Sequence, residues 1–179
     1  MNRFLRASIL APILLLTVLP MPAAAQISRI DALCLYVSSR SKTKDPHTAF
    51  EYNYQVIVYG AAGISSEGYE ILTDEELSHK VQDVWDRYII HQRCGPMGVP
   101  STGDPLKFAI HTSFDDFIRE AISLWKIDLN RIDEHGTYLD FLEERIARAS
   151  GSMRSNLERY RRSFIEMGAV RSQDLPKPE

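Results

Sequence analysis

Apolar residues recur along this chain mostly at helical spacing. Between Ile27 and Ser39 they fall at Ile27, Ile30, Leu33, Cys34 and Val37, a three-four rhythm that forms one face of a helix. Phe50 to Tyr59 is denser, with Phe50, Tyr52, Tyr54, Val56, Ile57, Val58 and Tyr59, and its alternation also suits a strand. No second segment of comparable strength exists to pair with it, and an isolated strand leaves its backbone groups unsatisfied, so a buried helix is expected. Glycines and serines from Gly60 to Leu72 mark a loop. Thr73-Asp74-Glu75-Glu76 then reads as a capping box ahead of Leu77, Val81, Val84, Trp85, Tyr88 and Ile89, which predicts a long amphipathic helix. Its other face, with Glu75, Lys80, Asp83, Asp86 and Arg87, is a solvated surface with weak ion pairs. Gly95 to Thr102, with two prolines and two glycines, continues neither helix nor strand and is read as a linker.

Beyond the linker the helical rhythm resumes twice. Leu106 and Ala109 face one way on a short helix, and Phe114, Phe117, Ile118, Ala121, Ile122 and Trp125 form the stripe of a second, expected to start at Ser113 with Asp116 in the capping-box position. Leu139, Phe141 and Ile146 begin another pair, broken at Ser150-Gly151-Ser152 and resumed by Leu157, Tyr160, Phe164 and Ile165. The fold class expected is all-α.

The two pairs open on the same phrase. Gly103-Asp104-Pro105-Leu106-Lys107-Phe108 returns as Gly136-Thr137-Tyr138-Leu139-Asp140-Phe141 after 33 positions. Between them, Ile127-Asp128-Leu129-Asn130-Arg131-Ile132-Asp133-Glu134-His135-Gly136 resembles the connector of ankyrin repeats, Ala-Asp-Val-Asn followed shortly by Asp-x-x-Gly. Asn130 and Asp133 suit local turns, and Gly136 permits positive φ. Gly168-Ala169 is similar to the Gly-Ala that closes the second ankyrin helix, with Gly168 a candidate left-handed cap. The resemblance spans residues 103–170. It departs in places: the Gly-to-Leu spacing is one residue short, the usual Thr and His partners are incomplete, Lys126 stands where a closing glycine belongs, and the second unit carries about nine extra residues. Two units bury too little alone, because repeat arrays need three or more, so the N-terminal helices are expected to cap and pack against them.

What the resemblance implies is noncovalent binding of another protein through loop tips and helix starts. By that resemblance Arg131, Glu134, His135, Tyr138 and Asp140 form the candidate surface, with Tyr138 its anchor.

Composition bounds where such a protein works. Arg3 and Arg6 precede an apolar run from Ala7 to Leu19, which ends in Pro20-Met21-Pro22-Ala23-Ala24-Ala25. That order is read as a signal peptide over residues 1–25, cleaved before Gln26, and implies a periplasmic or secreted protein. The organisation expected is then a helical region at 26–94, a linker at 95–102, the repeat region at 103–170 and a tail at 171–179. Loss of Arg3 and Arg6 leaves 19 basic residues against 24 acidic, a net charge near −5 that opposes nonspecific attraction to nucleic acid or anionic lipid, and no later stretch is apolar enough for membrane insertion after cleavage. The two cysteines, Cys34 and Cys94, are expected to form a disulfide in an oxidising compartment, stabilising the fold by roughly 4 kcal/mol in the chain-entropy model.

The sequence carries no complete catalytic or metal-binding motif. Glu76-Leu77-Ser78-His79 has the spacing of a di-iron motif without its second copy, His79 with Asp83 is an ordinary polar helix face, and His91 near Cys94 lacks a third orienting group. Gly63 to Gly68 is no nucleophile elbow, and Gly95 to Gly103 lacks the Lys-Ser/Thr of a phosphate loop. Glu158 and Glu166 interrupt the basic run Arg154, Arg159, Arg161, Arg162. No catalytic residue, cofactor or metal is assigned. The expectation is an exported non-enzymatic protein that binds another protein, with a toxin-immunity or inhibitor protein and a periplasmic hydrolase as alternatives.

Overall fold

The computed structural model describes residues 32–39, 54–65, 71–95 and 101–176. The leader, Phe50, and most of the linker lie outside them. Every regular element among the described residues is helical. α1 (Leu33–Ser39), α2 (Tyr54–Ala61) and α3 (Asp74–Arg87) come before the linker; α4 (Pro105–Thr112), α5 (Asp115–Arg119), α6 (Tyr138–Arg148) and α7 (Gly151–Glu166) follow it.

The expected capping box at α3 is formed: Thr73 Oγ1 accepts from Glu76 N at 3.3 Å, and Glu76 Oε2 accepts from Thr73 N at 2.9 Å. Leu77, Val81, Val84 and Trp85 are buried, while Tyr88 at the C-terminal end is half out of the core. The segment with two readings is a helix where it is described, since Tyr54, Ile57, Val58 and Tyr59 are all buried on α2. Helical wrapping lets it bury more than one face.

Centre of the molecule is α4, which packs on α1, α5 and α6. Leu106, Phe108, Ala109 and Ile110 are all buried, so no face of it reads as a solvent stripe. Around it an aromatic cluster forms the core: Tyr54 lies edge-on to Phe117 at 5.1 Å, Phe117 lies edge-on to Trp125 at 5.4 Å, and Trp85 approaches Trp125 at 6.1 Å. Each such ring contributes about 2 kcal/mol by burial, with a smaller gain from edge-to-face geometry.

α5 does not continue as an ordinary helix. Residues Glu120–Leu124 form a π-helical turn, widened by one residue, and the chain then leaves it with Lys126 in the left-handed region at φ 49°. The exposed carbonyls at this end are taken by α3: Ser78 Oγ donates to Trp125 O at 2.9 Å, and Gln82 Nε2 donates to Trp125 O at 3.0 Å and Lys126 O at 2.9 Å. A helix end thus closed by a neighbour needs no glycine.

Ser113 is a correction. Expected to start the second helix, it instead ends α4 with φ 56°, and Phe114 N reaches back to Ala109 O at 2.9 Å in the pattern of a Schellman closure. Asp116 makes no capping box and pairs with Arg119 at 2.8 Å.

Cys34 and Cys94 are joined, with Cα atoms 5.2 Å apart, so α1 is fastened to the chain just before the linker. Cys94 also pairs across a short bridge with Gly103, accepting from Thr102 N at 2.7 Å and donating to Gly103 O at 2.8 Å. The start of α4 is thereby held beside the end of the N-terminal helices.

Candidate functional site

A cleft of about 220 Å³ opens where that bridge meets the connector between α5 and α6. Ile90, His91 and Arg93 form one wall, and Arg131, Ile132, Asp133 and Glu134 form the other. Asp104, Lys107 and Tyr138 form the floor, which comes from the first turns of α4 and α6.

The floor follows from helix-start chemistry. Asp104 is the N-cap of α4, and its Oδ1 accepts from Leu106 N at 2.7 Å and Lys107 N at 3.2 Å; Pro105 occupies the first helical position, where no N–H is missed. Three residues into the helix, Lys107 is almost wholly buried, at 1% exposed. Its ammonium donates to Asp133 Oδ1 and, at 2.8 Å, to Gly136 O, and lies 5.4 Å from the centre of the Tyr138 ring. A buried lysine is tolerated only when so paired.

Asp133 closes the connector from within. Its Oδ1 also accepts from His135 N at 2.7 Å, while Asp133 and Gly136 exchange backbone bonds of 3.3 and 3.1 Å. Gly136 sits at φ 75°, and a Cβ added there would lie 2.6 Å from Asp140 Oδ2, so both conformation and space require glycine. Asn130 acts over a longer range than its turn: Nδ2 donates to Gly168 O at 3.1 Å and Oδ1 accepts from Val170 N at 2.8 Å, tying the connector to the end of α7.

Charge at the mouth is neutralised in pairs. Arg93 meets Glu134 at 3.0 Å across the opening, and Arg131 meets Asp86 of α3 at 3.1 Å. At the floor the Tyr138 hydroxyl makes no hydrogen bond of good geometry, and neither does Trp85 Nε1 in the core behind it. Asp104 and Trp85 nonetheless flank that hydroxyl closely enough to interact with it as weak, poorly aligned partners. Burial pushes the Asp104 carboxyl up, against the lowering effect of Lys107 and the helix N–H groups. Burial and then the Asp104 charge push the Tyr138 phenol well above its ordinary value, so it keeps its proton.

Of the five residues expected to form a surface, the cleft gathers Arg131, Glu134 and Tyr138. Tyr138 cannot be an exposed anchor, because it is 1% exposed, packed in a tilted arrangement on Phe164 at 6.2 Å and covered by Lys107. Asp140 is also displaced from that role. It belongs to the capping box of α6, where its Oδ2 accepts from Thr137 N at 2.9 Å and Ser172 N at 3.0 Å. His135 packs its ring beside Phe141 at 6.1 Å and is half-buried. Arg93, Asp104 and Lys107 were missed. The repeated phrase held the signal for Lys107, since it occupies the position that Asp140 occupies 33 residues later.

Among the described residues no three His, Cys, Asp or Glu side chains are grouped to hold a metal ion, and no helix is long and apolar enough to cross a membrane. Searches of protein-family models, curated proteins and solved structures give no match to the chain.

Proposed function

We propose that the chain is an exported, non-enzymatic binding protein that engages another protein through the connector 131–134 and the cleft behind it. The observation that carries this reading is the rigidity of a projecting loop. Lys107, Asp133, Gly136 and Asn130 hold its backbone, while Ile132, 57% exposed, and Glu134 face solvent from it. A loop ordered before binding loses little entropy on complex formation, so its side chains give more of their contact energy to affinity. Ile132 lies outside the core at the tip of this polar loop, where it adds apolar contact area for a partner.

Export rests on the basic, apolar and small-residue order of residues 1–25, with which a disulfide is compatible. The ankyrin resemblance supports the binding reading further, in that both helix pairs begin at N-caps 33 positions apart and end in left-handed residues.

The test is affinity capture with the mature protein from an extract of the exporting compartment, comparing wild type with a variant carrying Arg131→Ala, Ile132→Ala and Glu134→Ala. These side chains lie outside the core, so the melting temperature should stay nearly constant while the captured protein is lost. Equal capture by both would overturn the reading.

A further inference from the structure

We propose that a second groove, between α6 and α7, receives an acidic segment of a partner protein and holds its carboxylates with arginines. None of the groove's lining residues belongs to the cleft, so the inference stands apart from the connector reading.

The groove, of about 490 Å³, follows from helical spacing on two packed helices. Arg154, Glu158, Arg161 and Arg162 recur at three-four intervals on α7 and line one side. Glu143, Ile146 and Ala147 do the same on α6.

Its charge is unbalanced. Glu143 is one carboxylate shared by two guanidiniums: Arg161 Nε donates to Oε1 at 2.9 Å, and Arg171 donates to Oε2 at 2.7 Å and Oε1 at 2.9 Å. Arg154 Nε meets Glu158 Oε1 at 2.9 Å within α7. Arg162 is exposed and makes no ion pair or hydrogen bond among the described residues. Even with Arg171 set against Asp140 and Asp174, whose charges also reach it, Arg162 remains unmatched. Donors are in surplus as well. Arg154 and Arg161 engage only Nε, which leaves their terminal N–H groups for an incoming acceptor.

The chemistry favours carboxylates on a peptide. A guanidinium presents paired N–H groups that match the two oxygens of a carboxylate. Arg154 and Arg161 stand seven residues apart on α7, about 10 Å along its axis, which is wider than one small anion bridges. Ile146, packed on the core, and Ala147 add an apolar wall for the side chains between the acidic ones. A long polyanion is disfavoured by the rest of the molecule, since α3 carries five acidic residues against Lys80 and Arg87.

The experiment titrates the disulfide-bonded mature protein, labelled with 15N, at matched ionic strength. Its probes are an acetylated, amidated Gly-Glu-Glu-Leu-Glu-Gly peptide, the Gln counterpart of that peptide, inorganic phosphate and a short oligothymidylate. Saturable shifts of the backbone amides of Ile146 and Ala147, and from Glu158 to Arg162, are expected with the Glu peptide alone. Amides from Arg131 to Glu134 should stay in place. Arg162→Gln, at an exposed and unpaired position, should leave the melting temperature unchanged and weaken the Glu peptide roughly threefold to tenfold. Arg148→Gln removes the same charge from an exposed residue of α6 outside the groove, and should weaken it by no more than about twofold.

Absence of saturable shifts, equal binding of the Gln peptide, or equal weakening by both substitutions would overturn the proposal. Tighter binding of oligothymidylate or of phosphate at the same amides would overturn it in favour of a nucleic acid or a small free anion. So would groove shifts that grow with protein concentration in the absence of peptide, which would make a second copy the occupant. The triple connector variant keeps the groove, so it should bind the Glu peptide like wild type whether or not it still captures a partner.

Discussion

The two helix pairs start alike and are stabilised differently. α4 and α6 each begin after a glycine of positive φ, Gly103 at 127° and Gly136 at 75°, followed by a buried N-cap. In both, the side chain three residues after the cap folds back over that glycine. A Cβ on Gly103 would meet Lys107 at 3.0 Å, as one on Gly136 would meet Asp140. Yet the same position holds opposite charges. Lys107 reaches forward into the connector, whereas Asp140 turns onto its own helix start and the Ser172 backbone. The first pair is central, enclosed by α1, α3 and α6, and affords a buried ion pair. The second lies at an edge and is laced by exposed or half-exposed pairs, such as Arg161 and Arg171 on Glu143 at 2.9 and 2.7 Å. One starting geometry thus carries a buried ion pair to the connector where it is enclosed and only a local cap where it lies at an edge.

The largest expected effect separates the pairs by their covalent support. Replacing Cys34 and Cys94 together by alanine should lower stability by roughly 4 kcal/mol, because the bond closes a loop with a sequence separation of 60. Urea denaturation measures it. Since α1 packs on α4, hydrogen exchange should accelerate most in α4, while amides of α7 that exchange by opening of the edge pair alone should change little. Equal acceleration in both would mean that the pairs open as one unit.

Next is the position where the pairs differ in charge. Lys107→Met leaves Asp133, whose side chain is 18% exposed, without its cation and should lower stability by about 3 kcal/mol. The equivalent Asp140→Ala removes half of a capping box and should lower it by about 1 kcal/mol. If the two losses came out equal, burial of the first pair would not be the source of its greater dependence on this residue.

Helix ends offer a comparison in which the sign reverses. The second pair closes on Gly168 at φ 90°, with Ala169 N on Phe164 O at 2.9 Å, and the first closes on Lys126 at φ 49°. Left-handed backbone disfavours a side chain by roughly 1 kcal/mol, offset in part by the entropy that glycine adds to the unfolded chain. Lys126→Gly is therefore expected to raise stability by about 0.5 kcal/mol and Gly168→Ala to lower it by about 1 kcal/mol. A loss on Lys126→Gly would show that the lysine side chain is needed at that end.

These contrasts also mark where sequence reasoning reached and where it stopped. The Thr73 box, the positive φ at Gly136 and Gly168, and the cysteine pair were legible because each depends on local chemistry or on compartment. Ser113 misled because a serine ahead of acidic residues looks like an N-cap, while its left-handed conformation is imposed by how α4 must turn into α5. Tyr138 was placed outside because it follows a loop. Its burial depends on α7 and Lys107 covering it, contacts that no spacing of its own segment reveals. The cleft combines residues near 90, 105 and 132, brought together by the bridge of Cys94 to Gly103 and by the pairs of Lys107 with Asp133 and Arg93 with Glu134, both distant in sequence.

The smallest effect compares the two helix starts by pH. Burial would raise the Asp140 carboxyl, but Ser172 and Thr137 donate to it and hold it below the ordinary aspartate value. A carboxyl lowered on folding stabilises above its unfolded pKa, and that contribution is lost as pH falls through the folded value, so Asp140 contributes to loss of stability below about pH 4. Asp104 shifts the other way, raised chiefly by desolvation. Its contribution is fully present below the unfolded value and is lost as pH rises through the folded one. Asp115 and Glu143, also lowered by their partners, add to the acid side and are common to both variants. Urea midpoints measured across pH should therefore fall less steeply in acid for Asp140→Asn, and decline less between acid and neutral pH for Asp104→Asn, each against wild type. If both substitutions flattened the same limb, the two N-terminal carboxylates would share one electrostatic environment, and the contrast between an enclosed and an edge helix start would fail.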